Sequence, residues 1–211
     1  MTKYQSFYTN RSTVEIAQDL LGKVLSYQSD QGLLSGYIVE AEAYLGESDS
    51  AAHAYNGRRS TFNEALYGEP GTIYIYQLRQ QYMFDVVTQA SDVPQGVLIR
   101  AIEPKDGQQI MLKNRPVEGV NLTNGPGKLM QALGIQSKVF NMQPLENSKL
   151  TVELVTDRQP ANITASGRIG VNLNGETGLQ PYRFYVAHNP YVSRMRKKDM
   201  DLNNFGWKNN S

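Results

Sequence analysis

From Tyr37 to Leu45 the residues alternate without interruption. Tyr37, Val39, Ala41, Ala43 and Leu45 fall on one side, and Ile38, Glu40, Glu42 and Tyr44 fall on the other. Side chains of a strand point by turns to opposite faces, so the run reads as a strand with one apolar face turned to a core. The other face carries two carboxylates and a phenol in line. This run constrains the fold tightly, because a slip by one position would exchange its faces. Neighbouring carboxylates repel when both are ionised, so one of the pair is expected to hold its proton more tightly. A ring beside a carboxylate also suits a planar substrate that stacks on the ring while the carboxylate works on a bond at its edge. The alternative is an ordinary exposed strand face.

The flanking sequence supplies the rest of a sheet and some helices. Ser12 and Glu15 have capping-box spacing, Val14, Ala17, Leu20 and Leu21 form an apolar stripe, and Gly22 stands where the helix would end. A strand at Lys23 to Tyr27 and a turn at Asp30 to Gly32 lead into the alternating run. Further strands are expected at Gly71 to Tyr76, Met83 to Thr88, Gly96 to Ile102, Leu150 to Val155, Gly167 to Val171 and Tyr182 to Val186. Helices are expected at Asn63 to Tyr67, Lys105 to Asn114 and Lys128 to Leu133, the last closed by Gly134, and Gln77 to Gln81 reads as a turn or protruding loop. The result is an α+β fold with a curved, mainly antiparallel sheet. The 211 residues suit a single domain over 1–211, in which 193–211 form a basic, partly flexible tail around Arg194, Arg196, Lys197 and Lys198.

Composition removes several classes of chemistry. There are no cysteines, which excludes disulfides, cysteine-type zinc sites and a thiol nucleophile. The two histidines, His53 and His188, form no H-x-x-x-H or H-E-x-x-H pattern, and no acidic cluster accompanies them, so neither a metal nor a cofactor is expected. No apolar run approaches the roughly 20 residues that span a bilayer, and the N-terminus has no secretory h-region, so a cytoplasmic protein without membrane contact is expected. The formal net charge of +1 argues mildly against a nucleic-acid partner, although a local basic face decides that question.

Several residues near the carboxylates are suited to binding. Tyr44, Tyr74, Tyr76 and Tyr82 are candidates for stacking on bases, or for plain strand packing. His53 suits a hydrogen bond to a substrate, or a structural role. Asn124-Gly125-Pro126-Gly127-Lys128 opens a helix whose free N–H groups suit a phosphate, or merely a turn and cap.

Read together, these segments resemble the alkyladenine (3-methyladenine or methylpurine) DNA glycosylase family. The carrying stretches are Gly36 to Gly46, Ala51 to His53, Gly71 to Tyr76, Val97 to Pro104, Asn124 to Lys128, Arg168 to Val171 and Pro181 to Tyr185. The likeness runs in order from about Phe7 to Ser193. It implies surrounding helices on a sheet like that of the formyltransferase C-terminal domain. It also implies a monofunctional, monomeric enzyme of base-excision repair that takes double-stranded DNA with damaged purines and uses no cofactor. Such an enzyme flips 3-methyladenine, 7-methylguanine, hypoxanthine or ethenoadenine from the duplex and hydrolyses the N-glycosidic bond.

By the same resemblance, Glu42 matches the glutamate that deprotonates the attacking water, and Arg100 the arginine that helps hold it. Tyr44, His53 and Tyr76 match the residues around the flipped base, and Ala51 a backbone contact to its edge. Arg58, Leu78, Arg79, Tyr82 and Lys128 are expected at the DNA backbone or in the gap left by the base. The chain departs from the family in the loop Gln77 to Tyr82, where familiar members carry an aromatic wedge; Arg79 aligns there, with Leu78 and Tyr82 as alternatives. It departs again at Asp85, where an asparagine is frequent. An ionised carboxylate accepts but does not donate, so guanine's amine is expected to be tolerated there. Competing readings are a non-catalytic module that binds damaged DNA or RNA, and a nucleoside hydrolase or formyltransferase-related enzyme. A buried Glu42 would separate the enzyme from the module, since a pure binder of anionic nucleic acid gains nothing from it.

Overall fold

The computed structural model describes residues 1–155, 158–171 and 176–209. Two short helices, α1 (Lys3–Phe7) and α2 (Thr13–Asp19), open the chain, each with a closed capping box, Thr2 with Gln5 and Ser12 with Glu15. The second box is the one expected. The helix turns Ile16, Ala17 and Leu20 fully inward, while Val14 is only partly buried.

The hairpin β1 (Val24–Ser29) and β2 (Gly32–Tyr44) follows. Then come β3 (Ile73–Leu78), β4 (Gln81–Thr88) and β5 (Gln95–Asp106). Helices α3 (Gln108–Asn114) and α4 (Pro126–Leu133) precede the short strands β6 (Leu150–Glu153), β7 (Ile163–Ser166) and β8 (Arg183–Val186). Among the described residues, all eight strands join one curved sheet in which every pairing is antiparallel. The path runs β3-β4-β5-β2-β1-β6, and β8 adds to β2 with β7 beyond it. Long β2 and β5 form the spine, α2 rests on both, and α4 covers β4 and β5. The α+β expectation holds.

The register explains where the simple alternation of β2 fails. Ile38 pairs with Ile102 and Glu40 with Ala101, so Val39 is an extra residue, and a compensating shift follows between Glu40 and Ala41. Bulges of this kind bend a strand and re-aim its side chains. Ile38, expected beside the carboxylates, joins Tyr37 and Val39 in the main core instead. Glu40 and Glu42 are fully buried, so the exposed-face alternative falls away.

Two further expectations are corrected. Lys105 and Asp106 belong to β5, and the helix expected from Lys105 begins only at Gln108. Gly107 makes the switch at φ 73°, where an added Cβ would lie 2.3 Å from the Leu33 carbonyl oxygen. The strand expected at Gly167 to Val171 is displaced to Ile163–Ser166. The chain leaves the sheet after Ser166 because the Arg168 side chain and the Ile169 amide turn inward to buried carboxylates. Within 193–209 the basic cluster is exposed, whereas Ser193 and Trp207 are buried and the Trp207 indole donates to Glu103 at 2.7 Å. Asn210 and Ser211, the end of the expected tail, lie outside the described residues.

Candidate active site

Where β2, β4 and β5 lie side by side, their polar side chains meet at the floor of a cavity of about 350 Å³. Tyr44, Asp85 and Arg100 supply the polar floor, with Ala51, His53 and Tyr76 on one wall. Ile169 and Gly170 close another side, and Leu78, Arg79 and Pro126 complete the lining. The cavity thus gathers seven of the sequence-predicted residues that stand on strands and the neighbouring loop, together with Ala51.

Glu42 sits just beneath this lining with no solvent exposure. One oxygen, Oε2, accepts from the Tyr44 hydroxyl at 2.9 Å and from Arg100 Nη1 at 3.1 Å. The other, Oε1, accepts from the Ile169 amide at 2.8 Å. Burial pushes the Glu42 carboxyl above the usual carboxylate range; Arg100, the Ile169 amide and Tyr44 pull it back without cancelling the effect.

Glu40, two residues away on the same strand, has a different environment. Its Oε1 accepts from Arg100 Nε, Arg183 Nε and the Ser193 hydroxyl, each at 2.7 Å, and its Oε2 from the Ser193 amide at 2.7 Å. Burial pushes Glu40 up as well, but the guanidinium groups of Arg100 and Arg183 outweigh it and hold the carboxyl below its ordinary value. The pair therefore divides as two adjacent carboxylates should: the charged form is favoured at Glu40 and disfavoured at Glu42. Arg100 bridges both and fixes their spacing.

The wall opposite is aromatic. Tyr74 and Tyr76 share a face of β3 and stack at 4.9 Å between ring centroids. His53 stands edge-on to Tyr76 at 4.7 Å, and its Nδ1 lies 2.9 Å from the Tyr74 hydroxyl. Burial and the charge of Arg58 lower the His53 pKa, which keeps the ring neutral near pH 7. The tyrosines pack from behind on a small cluster with Ala54, Leu66 and Val87, so the wall is rigid.

The floor is braced by a pair for which the sequence reading assigned no role. Arg168 and Asp49 form a bidentate ion pair, Nη1 to Oδ2 at 2.5 Å and Nη2 to Oδ1 at 2.8 Å, with neither side chain exposed. Arg168 also donates to the Ala43 carbonyl, and its guanidinium lies 4.7 Å from the centre of the Tyr44 ring. Asp49 in turn accepts from the Leu45 and Ala51 amides. One ion pair thus holds the Tyr44 ring, the loop that presents Ala51, and the segment that offers the Ile169 amide. Arg168 lies in the stretch Arg168 to Val171 that carries the family resemblance, but its partner Asp49 is remote in sequence and no local spacing signals it.

The residues expected at a DNA backbone or gap separate into two groups. The β3–β4 connection is a two-residue turn with Arg79 and Gln80 at positive φ, so the turn or loop expected at Gln77 to Gln81 narrows to those two residues. Leu78 and Arg79 are exposed there and line the cavity. Tyr82 packs back against the main core and does not line the cavity. Arg58 is exposed beside the His53 loop. Lys128 donates to Asn124 Oδ1 at 2.7 Å, near the cavity-lining Pro126. Among the described residues no group of His, Asp and Glu is arranged to hold a metal, and no helix is long and apolar enough to cross a membrane.

Comparison with known proteins bears on what such a cavity does. Residues 6–190 match the family described as "Methylpurine-DNA glycosylase (MPG)". A Latilactobacillus sakei protein is 58% identical over 203 residues, covering 96% of this chain and 95% of that protein. A Lactobacillus johnsonii protein is 50% identical, covering 95% and 97%, and one from Staphylococcus saprophyticus is 43% identical, covering 95% and 98%. All three carry the name "Putative 3-methyladenine DNA glycosylase".

Proposed function

The chain belongs to the methylpurine-DNA glycosylase family, and from that premise we propose that it flips alkylated or deaminated purines out of duplex DNA and hydrolyses their N-glycosidic bonds. The enzyme class, an N-glycosyl hydrolase acting on DNA, follows from the family. The observation that carries the mechanism is Glu42: a fully buried carboxyl held by Arg100, Tyr44 and the Ile169 amide at the floor of a cavity walled by aromatic rings.

A base stacked in a duplex is out of reach, so it must be extruded, at a cost of a few kcal/mol that is smaller at damaged pairs. Leu78, exposed at the hairpin beside the cavity, fills the gap as an apolar wedge. Arg79, Arg58 and Lys128 meet phosphates. The flipped purine lies between Tyr44 and Tyr76, takes a hydrogen bond from His53, and meets the backbone at Ala51. Glu42, held with Arg100, removes a proton from water as C1′ gains oxocarbenium character, and its charge also stabilises that carbon. Alkylation at a ring nitrogen already makes the purine a cation and a good leaving group. The protein works as a monomer and in the cytoplasm, where bacterial DNA lies.

Among the described residues, no lysine is placed in the lining to act as a nucleophile. A duplex with one methylated purine is therefore expected to yield the free base and a strand that breaks only on later alkali treatment. An enzyme–DNA adduct trapped by borohydride would contradict hydrolysis by water. The pH dependence has a definite sign as well. Glu42 works as a base in its ionised form, so release of a cationic purine is expected to rise with pH through the raised Glu42 pKa and then level off. A single-turnover profile that stays flat through that range would count against Glu42.

A further inference from the structure

One buried carboxyl at the site has no part in water activation. Asp85 stands in the middle of β4, opposite Tyr74 of β3 and Leu98 of β5, and it lines the cavity. Its residue exposure is 4%, and its Oδ1 is buried without a hydrogen-bond partner. Every other buried acid in this region is matched to an arginine: Glu40 and Glu42 to Arg100, and Asp49 to Arg168. Among the described residues, Asp85 is matched to none.

We propose that Asp85 is the general acid of this site: a buried carboxyl without an arginine partner that lines the base cavity and donates its proton to a ring nitrogen of an uncharged flipped purine. This rests on the reading that the cavity receives the flipped base. The groups that surround Asp85 agree with it. Glu42 and Tyr44 approach from β2, Tyr74 and Tyr76 from β3, Arg100 from β5, and His53 from the loop behind. His53 is kept neutral, and Arg100 already serves Glu40 and Glu42. Burial pushes the Asp85 carboxyl far above the carboxylate range and the charge of Glu42 adds to this; a hydrogen bond from Tyr76 opposes them only in part. One carboxyl raised above its ordinary range and another pushed well above it thus flank one substrate, which is the division of labour that two carboxyls in unlike environments support.

The step balances. The C1′–N9 bond breaks and its electron pair passes to the purine. The Asp85 proton moves to an unsubstituted purine ring nitrogen, so the base departs neutral. The water oxygen bonds to C1′, and the water proton goes to Glu42. Once the base has left, Asp85 takes a proton back and Glu42 gives one up, through solvent. A purine methylated at a ring nitrogen is already cationic and needs no such proton. Asp85 therefore matters for neutral lesions, of which hypoxanthine is the simplest. The guanine-amine expectation also changes in kind, since a protonated carboxyl both donates and accepts.

The test compares hypoxanthine release with 3-methyladenine release by the full-length protein under single-turnover conditions across a pH series. For wild type, hypoxanthine release is expected to rise with Glu42 ionisation and then to fall about tenfold per pH unit once Asp85 ionises. Release of 3-methyladenine shows only the rise. In Asp85→Asn, hypoxanthine release should drop by roughly 100-fold or more, its falling limb should vanish, and the loss on 3-methyladenine should be at least about tenfold smaller than the loss on hypoxanthine. Equal losses on both lesions, or a wild-type hypoxanthine profile without the falling limb, would overturn the assignment. The wild-type profile needs no variant, so it stands even if Asp85→Asn folds poorly. Failure of wild type to release 3-methyladenine would instead defeat the glycosylase reading itself, and Asp85 with it.

Discussion

Replacing Glu42 with glutamine is expected to slow release of 3-methyladenine by about 100- to 10,000-fold, the usual worth of a general base. Affinity for damaged duplex should stay within about threefold of wild type. Glutamine keeps the length and shape of the side chain. Its single carbonyl oxygen can still accept from the Ile169 amide, and its amide nitrogen then faces the Tyr44 oxygen, which can accept in turn. Arg100 loses one of its two carboxylate contacts and retains the other, to Glu40. The cavity wall of His53 and Tyr76 is held by its own ring contacts, with Tyr74 stacked on Tyr76, and is left in place. What disappears is the ionisable oxygen that takes the water's proton and faces the developing positive charge. Single-turnover release and duplex binding, measured on the same preparation, separate these effects. Turnover near the wild-type rate would remove Glu42 from its role.

The neighbouring substitution, Glu40→Ala, is expected to act first on stability. Glu40 is fully buried and accepts four hydrogen bonds, two of them from the guanidinium groups of Arg100 and Arg183. Removing it leaves buried cations without their shared counter-charge, and breaking a buried pair in this way costs about 3–5 kcal/mol. Set against total stabilities of about 5–15 kcal/mol, that is enough to bring the protein close to unfolding at ambient temperature. The pH dependence distinguishes this from a mere cavity. The folded-state pKa of Glu40 is depressed, so its contribution is present above the unfolded value of about 4 and is lost as pH falls through the folded value. The wild-type advantage over Glu40→Ala in urea melts should therefore shrink at acid pH. A difference that is small at pH 7, or that does not change with pH, would show that Glu40 is not the charge that anchors the two arginines. Where the variant remains folded, base release should also fall, because Arg100 is then held by Glu42 alone.

Local signals made the frame of this protein legible. The capping box at Ser12 and the run from Tyr37 to Leu45 identified a helix and the spine of the sheet, and the helix from Lys128 to Leu133 closes at Gly134 as its sequence requires. The first helix carries the same kind of signal at Thr2 and Gln5. Ile38 fails the alternation because a bulge is a property of two strands in register, and β5 lies about sixty positions away. The strand expected at Gly167 to Val171 fails for a related reason. Its apolar pattern is strand-like, but Arg168 and Ile169 are drawn out of the sheet by Asp49 and Glu42, more than a hundred positions earlier.

The candidate site divides along the same line. Glu42, Tyr44 and Tyr76 were readable because strand alternation and the family pattern point to them; the two rings line the cavity and Glu42 lies just beneath it. Arg79 and Leu78 reach that cavity because a tight turn at positive φ extends the hairpin, whereas Tyr82, on the returning strand, faces the core. Strand alternation by itself leaves Glu40 and Glu42 nearly equivalent. Their partners separate them, and those partners come from β5, β8 and two loops. Asp85 likewise looks like an ordinary ionised residue until its burial and its lack of an arginine are known.

The most direct test of the account places the wild-type protein on methylated duplex DNA and follows bound protein and free base together. The account predicts damage-selective binding followed by free 3-methyladenine, with one abasic site for each base set free. Selective, tight binding with no base released would contradict it, and would make the cavity that of a damage-binding module rather than an enzyme.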